Sequence, residues 1–278
     1  MGTLYLVGTP IGNLEDITLR ALRILREVDL IAAENTRRTR KLLDHYDIHT
    51  PMVSYFEHTS PARQEAILEA LNTRDVALVS EAGMPGLSDP GYRLVREAIA
   101  RGFPVKAVPG PSAPIAALVL SGLPADSFIY LGFLPRRQSE RQKLLASLVY
   151  EQRTLVAFEA PHRLLEALAD MLQILGNRKI SLARELTKIH EEVWRGSLEE
   201  ALARFQEEEP RGEFTLVVEG EKTGKSAHWN RQQVGEMVKS LLAEGLERKK
   251  AVKLVAQLTG RPRREVYEAS LEWDTDEH

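Results

Sequence analysis

Cysteine is absent from the 278-residue chain. That excludes a disulfide framework, a thiolate nucleophile and any cysteine-held zinc or iron–sulfur cluster. Histidine is scarce too: the seven present form no H-E-x-x-H or similar cluster, so no metal site is expected. Long apolar runs are missing, and none approaches the ~20 residues that a conventional membrane helix needs. A secretory signal is not expected, because a strand-like run begins at Leu4, and the cytoplasm is the expected compartment. Nor does one sign of charge dominate. With 37 Lys and Arg against 40 Asp and Glu, the net charge is −3, which argues against a uniformly basic nucleic-acid coat. A local basic face stays open, since phosphate binding depends on where Lys and Arg cluster. Repeats and low-complexity segments are also lacking.

What is present, 43% hydrophobic and 28% charged residues, is ordinary for a globular protein, and the length suits two domains plus an appendage. Strand-like runs alternate with helical ones through the first two-thirds. Val76–Ser80 and Val105–Val108 are short, β-branched and end at Gly or Pro, while Tyr92, Leu94, Val95, Ala98 and Ile99 between them recur at helical spacing. This predicts βαβ units and a mostly parallel sheet. Further on come Phe128–Leu131, Thr154–Phe158, Ile180–Ala183, Glu192–Trp194 and Phe214–Val218. The last three lie close together, as in a partly antiparallel sheet. The expected fold class is therefore α/β, with two α/β domains over residues 1–109 and 110–222. After a linker-like stretch, Glu221–Ser226, the strands stop. Gln233–Leu242, Lys249–Leu258 and Arg264–Leu271 read as three helices with turns at Gly245 and at Gly260-Arg261-Pro262. That predicts a helix-turn-helix-like module over 227–278.

Three loops follow strands of the first domain. The first, Gly8-Thr9-Pro10-Ile11-Gly12-Asn13, has its glycines four apart and is not a G-x-G-x-x-G dinucleotide fingerprint. The second runs from Ser80 to Gly91. Asp89 there is expected to cap the next helix, with Pro90 at its first position, yet capping leaves most of this Gly/Pro/Ser-rich loop unexplained. The third, Pro109-Gly110-Pro111-Ser112-Ala113, opens a helix over Ile115–Leu120. Ser112 would serve as its N-cap, and the small residues would also let backbone approach a flat ligand. Ligands of open α/β sheets sit outside the carboxyl ends of parallel strands, so three such loops converging on one sheet edge mark the expected site.

Thr9–Asn13, Glu34-Asn35-Thr36-Arg37, Ser80–Gly91, Pro109–Ser112 and Arg184-Glu185-Leu186-Thr187-Lys188 occur in this order and spacing. Together they resemble the tetrapyrrole-methylase-like superfamily and, more narrowly, the bacterial ribosomal RNA small subunit methyltransferase I family, over essentially the whole chain. Two positions depart from that pattern: Asn35, where Asp is expected, and Glu81, where Asp is common. The resemblance implies S-adenosylmethionine in a cleft between two α/β domains, 2′-O-methylation of a cytidine in small-subunit ribosomal RNA, and a homodimer. It places Pro10, Ser80, Gly83, Ser112 and Ala113 near the cofactor, with Phe158, Glu159, Leu186, Gly212 and Glu213 from the second domain. Candidates for a general base are Glu34, at the end of a predicted strand Leu30–Ala33, Glu81 and Glu185. Candidate RNA contacts are Arg37, Arg38, Arg40 and Lys41, then Arg136 and Arg137 with Arg141 and Lys143. A third group lies in the tail, Lys249, Lys250, Arg263 and Arg264 with Arg248, Lys253 and Arg261. The alternatives are a tetrapyrrole or other small-molecule methyltransferase of the same fold and a non-catalytic RNA-binding module.

Overall fold

A computed structural model describes residues 1–222, 231–243, 245–259 and 261–271. Short aliphatic runs build its first sheet: β1 (Leu4–Val7), β2 (Leu30–Ala33), β3 (Met52–Ser54), β4 (Val76–Val79) and β5 (Val105–Val108). All pairings are parallel, in the order β3-β2-β4-β1-β5. Every residue of β4 is buried, as a strand covered on both faces requires. The covering helices are α1 (Leu19–Glu27), α2 (Thr36–His45), α3 (Pro61–Ala70) and α4 (Tyr92–Ala100). Ile24, Leu25 and Leu43 pack on one face against Ile31 and Val79, and Ile67, Leu68 and Leu94 on the other against Leu4 and Leu78. Edge strand β3 carries no sequence signal: its three half-buried residues are too few to show a period.

The chain changes sheets immediately after β5. Helix α5 (Ala113–Ser121) packs Ala117 and Leu118 against Val156, Ala183 and Val217 of the second sheet. That sheet contains β6 (Phe128–Phe133), β7 (Thr154–Glu159), β8 (Lys179–Arg184), β9 (Glu192–Ser197) and β10 (Phe214–Val218), in the order β6-β7-β10-β8-β9. Only β6 and β7 run parallel; β8, β9 and β10 pair antiparallel, as their close spacing predicts. Alternate residues of the same strands, Leu155, Leu182 and Leu216, face α6 (Gln138–Ser147), α7 (Pro161–Leu175) and α8 (Leu198–Glu207).

One expected basic contact belongs to this layer. Arg141 is fully buried, and its Nε donates to Asp170 Oδ2 across 2.7 Å. Gln138 and Gln142 donate to the other Asp170 oxygen at 3.1 and 2.8 Å. Arg141 is thus an interior ion pair and leaves Arg136, Arg137 and Lys143 as the exposed cations of that segment.

The tail forms α9 (Arg231–Ala243), α10 (Arg248–Thr259) and α11 (Arg263–Leu271), within two residues of the predicted spans. Val234, Val238, Ala251, Val255, Val266 and Ala269 make its own small core. The linker from 223 onward, the module's start at 227 and the turn residue Gly260 lie outside the described residues.

Candidate functional site

Strands β4, β1 and β5 are neighbours, so their carboxyl-terminal loops meet. The first two are hydrogen-bonded together: Thr9 N–H donates to Gly83 O at 2.9 Å and Gly83 N–H returns to Thr9 O at 3.0 Å. Gly83 adopts φ +81°, which glycine takes without the strain a side chain would bring. The first and third loops press on each other. A Cβ on Gly8 would lie 2.7 Å from Gly110 Cα. Gly110 is therefore small because of Gly8, while Ala113 of the same loop lines the cleft. Ser112 sits at the N-cap position of α5 without a side-chain capping bond and borders the cleft instead.

Between the two sheets lies a cleft of about 810 Å³. Pro10, Ser80, Gly83, Ser112 and Ala113 line one wall; Phe158, Glu159, Leu186 and Glu213 line the other. Gly212, expected with them, packs on Glu185 at φ +86°, where a Cβ would fall 2.6 Å from Glu185 Cγ. Glu185 is itself a clamp. Its Oε1 accepts from Glu213 N–H at 2.8 Å and from Lys188 Nζ at 2.9 Å. Burial works to raise the Glu185 carboxyl, but the Glu213 amide and the Lys188 ammonium outweigh it and hold it below the usual range. A carboxylate so engaged is a poor general base, and Lys188, not Glu185, borders the cleft.

Glu34 and Glu81 do border it. Glu34 Oε2 accepts from Glu81 N–H at 2.8 Å. The Glu81 carboxylate accepts from Asn35 Nδ2 at 3.0 Å and pairs with Arg38. Asn35 also caps α2, its Oδ1 accepting from Arg38 N–H at 3.1 Å. At Glu159, Oε1 accepts from Ala160 N–H at 2.8 Å and pairs with Arg163, while Oε2 is buried with no hydrogen-bond partner. Burial pushes the Glu159 pKa up, against the Ala160 amide and Arg163.

Asp89 departs from its expected role. Helix α4 begins two residues after Pro90, with Gly91 at its N-cap, and Asp89 is a half-buried cleft residue. Burial first and the neighbouring Glu34 charge next raise its pKa to about 7, with the Ser80 hydroxyl opposing and Glu81 adding. A sufficient capping explanation hides this residue from sequence reasoning. The tie beside it also has no sequence signal. Ser88 Oγ lies 2.8 Å from the Tyr130 hydroxyl on β6, so the long loop is fastened to the second sheet. Tyr130 packs edge-on against Phe158 there, and Phe133 packs on it at a tilt.

Of the basic candidates, Arg38 and Lys41 border the cleft, and Arg37 and Arg40 are exposed on the same helix. Arg136 and Arg137 are exposed before α6, with Arg137 3.4 Å from Glu140. Lys249, Lys250, Arg263 and Arg264 are exposed on the tail helices; among the described residues none from the tail lines the cleft.

Residues 3–202 match the family Tetrapyrrole (Corrin/Porphyrin) Methylases, and residues 232–274 match the RsmI C-terminal HTH domain. Ribosomal RNA small subunit methyltransferase I of Synechocystis sp. is 47% identical over 99% of this chain and 100% of its own. The protein of that name in Halalkalibacterium halodurans is 49% identical, over 96% and 93%. The one in Thermotoga maritima is 52% identical, over 80% of this chain and all of its own. Among solved structures, uroporphyrin-III C-methyltransferase from Thermus thermophilus, complexed with S-adenyl homocysteine, has a TM-score of 0.55 at 22% identity, covering 78% of this chain and 97% of that one. Diphthine synthase reaches 0.61 at 18%, covering 82% and 92%. These two likenesses concern the fold. By sequence over nearly its whole length, this chain belongs to the ribosomal RNA small subunit methyltransferase I family of the tetrapyrrole methylases.

Proposed function

We propose that the protein transfers a methyl group from S-adenosylmethionine to the 2′-hydroxyl of a cytidine in small-subunit ribosomal RNA. The observation that carries this reading is the cleft: three loops of a parallel sheet and the strand ends of a second sheet enclose one site, with a basic helix at its edge. Its volume suits a nucleoside-sized ligand. Glu159 lines the far wall, and its Oε2 is buried without a hydrogen-bond partner, so this carboxyl adds polarity to a largely apolar wall. The carboxylates of Glu34 and Asp89 favour a cationic group beside them. Pro10, Gly83, Ser112 and Ala113 would hold the cofactor largely through backbone, with Ser80, Phe158, Leu186 and Glu213 completing the walls. The cofactor supplies a sulfonium methyl already activated for transfer, so the chain's part is alignment of the attacking oxygen and removal of its proton.

Arg38 and Lys41 at the cleft, with Arg37 and Arg40, would position the RNA backbone, helped by Arg136, Arg137 and the tail cations. The working division is 1–109 and 110–222 for the catalytic body and 227–278 for an RNA-docking module, in a cytoplasmic homodimer. For the dimer, α5 offers an apolar outer face: Ile115 and Val119, one turn apart, are exposed, and sedimentation tests whether it is used. A tetrapyrrole substrate is the rival within the fold; the basic α2 and the tail favour a polyanion.

The test is labelled S-adenosylmethionine with either small ribosomal subunits or free RNA, followed by mapping of the modified nucleotide. Label on a cytidine 2′-oxygen is expected. Ser112→Trp is the blocked control and should lose cofactor binding by calorimetry with the fold intact. Gly83 is a poorer probe, because at φ +81° any side chain adds backbone strain. No label in RNA, or label on a base, refutes the reading.

A further inference from the structure

We infer that Phe133 is the platform on which the base of the methylated nucleotide stacks; this rests on the function proposed above. Among the described residues, three aromatic rings line the cleft. Phe214 is buried and Phe158 half-buried, whereas Phe133 is 58% exposed. Phe158 packs on one side of the Phe133 ring, with centroids 5.3 Å apart and planes tilted by 51°. The rest of the Phe133 ring is open to a flat ligand.

A backbone irregularity puts it there. Along β6, Phe128 and Tyr130 pack with Val156 on the side of α5, while Ile129 and Leu131 point the other way, into the core beneath α6 and α7. A regular strand would carry Phe133 into that core as well, because successive side chains alternate. Instead Phe133 stands opposite Phe158, three residues past Tyr130 where β7 has advanced by two. The extra residue is a β-bulge, which re-aims the side chains that follow. Gly132 absorbs it at φ +65°, and a Cβ there would lie 3.0 Å from Ser88 Oγ. Leu134 then returns to the core. An apolar ring has been turned out of a core and into the cleft.

The position of the ring points to its occupant. Ser112 and Ala113 head α5, which lies across β8 and β10, and Leu186 follows β8; these residues mark the cofactor's end of the cleft. Strand β6 is the sheet edge three places from β8, about 14 Å away at the spacing of neighbouring strands. A cofactor held at the β8 end leaves the β6 end to the second substrate. There the long loop of the first sheet meets β6 through Ser88 and Tyr130. Leu87, next to Ser88, is exposed and also lines the cleft, and Arg38 and Lys41 border it for the phosphates. A ribose 2′-hydroxyl can meet the sulfonium methyl only if its own base, carried on the adjacent ring carbon, is lodged beside it. A base drawn out of its stack in RNA needs a π surface in exchange, and aromatic side chains supply one. Stacking tolerates any base, so Phe133 sets position and not the choice of cytidine.

The experiment is single-turnover methylation of small ribosomal subunits with labelled S-adenosylmethionine, comparing Phe133→Tyr, Phe133→Leu and Phe133→Ala with wild type. The Tyr variant keeps the π face and should react within a few-fold of wild type. Leu keeps bulk and apolarity but loses the face. It and Ala should slow transfer at saturating subunits by about 5- to 150-fold, the worth of one stacked base. The salt slope of subunit binding should stay at its wild-type value, because no charge is removed. Calorimetry should find S-adenosylmethionine affinity within a few-fold of wild type in all three. Wild-type rates in Phe133→Leu, or a Phe133→Tyr as slow as Phe133→Ala, would overturn the inference. So would lost cofactor affinity, which would make the ring part of the cofactor's site, or altered sedimentation, which would make it a contact between copies. RNA left unlabelled by the wild-type protein would instead defeat the proposed function, and the inference with it.

Discussion

Asn35 Nδ2 donates to Glu81 Oε2 across 3.0 Å, so the two positions that depart from the family pattern are each other's partners. An aspartate at 35 could still cap α2 through its oxygen, but it would set a second carboxylate against Glu81. The amide does both tasks, accepting from Arg38 N–H and donating to Glu81. We expect Asn35→Asp to cost about 1–3 kcal/mol at pH 7.5, the scale of a broken hydrogen bond to a charged group. Adding Glu81→Gln should recover most of it, because the new amide can donate to the carboxylate introduced at position 35. Urea denaturation of the four proteins closes the cycle; additive effects would show that the pair is not coupled.

Asp89 carries a stability consequence of its own. Its folded-state pKa, about 7, is raised from the ordinary value of 3.8, so the native state binds the extra proton between those values. Stability from this group is complete below about 3.8 and is lost as pH rises through 7. Asp89→Asn, which stays neutral, should therefore melt higher than wild type at pH 8. The advantage should shrink steadily toward pH 4. A melting difference independent of pH would mean that Asp89 titrates like an exposed carboxyl.

Much of this is legible in the sequence, for physical reasons that differ by element. Strands such as Val76–Val79 are continuous apolar runs closed by loop residues, so both type and place can be read. The converging loops follow from topology once the strands alternate with helices. Two kinds of residue are not legible. Arg141 reads as one more cation in a basic run, because nothing local reveals that Asp170, a helix away, will bury it. Asp89 escapes for the opposite reason: Asp-Pro before a helix already has a complete local explanation, and the positive φ of the flanking Ser88 and Gly91 is invisible in the sequence pattern. Long-range pairing and backbone handedness in loops are the terms that a one-dimensional pattern omits.

Arg141 can be assigned to the interior or to the RNA surface by one substitution. Replacing it with Met removes one partner of a buried ion pair and leaves Asp170 to Gln138 and Gln142. Breaking such a pair costs about 3–5 kcal/mol. Burial works to raise the Asp170 carboxyl, but Gln142, Gln138 and Arg141 together hold it below its ordinary value. Its contribution is therefore present above the unfolded pKa and lost as pH falls through the folded one. The gap between wild type and Arg141→Met should narrow in acid. The salt dependence of RNA binding should not change. A flatter salt slope with unaltered stability would return Arg141 to the RNA surface.

The tail makes the last prediction. Its helices pack on their own core of Val234, Val238, Val255 and Val266, and among the described residues every one lining the cleft precedes residue 216. The separate core favours a module that adds to the body holding the cleft. Lys249 and Arg263 are exposed, while Lys250 and Arg264 stand near Glu247 and Glu268, so only part of the charge is available to a polyanion. Removing one phosphate-neutralising cation should reduce the slope of log affinity against log salt by about 0.7–0.9. Truncation after Lys222 should leave S-adenosylmethionine affinity unchanged in calorimetry. It should weaken binding of the ribosomal substrate and flatten its salt dependence by one to a few such steps. Substituting Lys249 and Arg263 with Gln in the full chain should reproduce part of that flattening without removing the module. If the truncated protein binds its substrate with wild-type affinity and slope, the tail does not dock RNA, and its exposed cations serve another role.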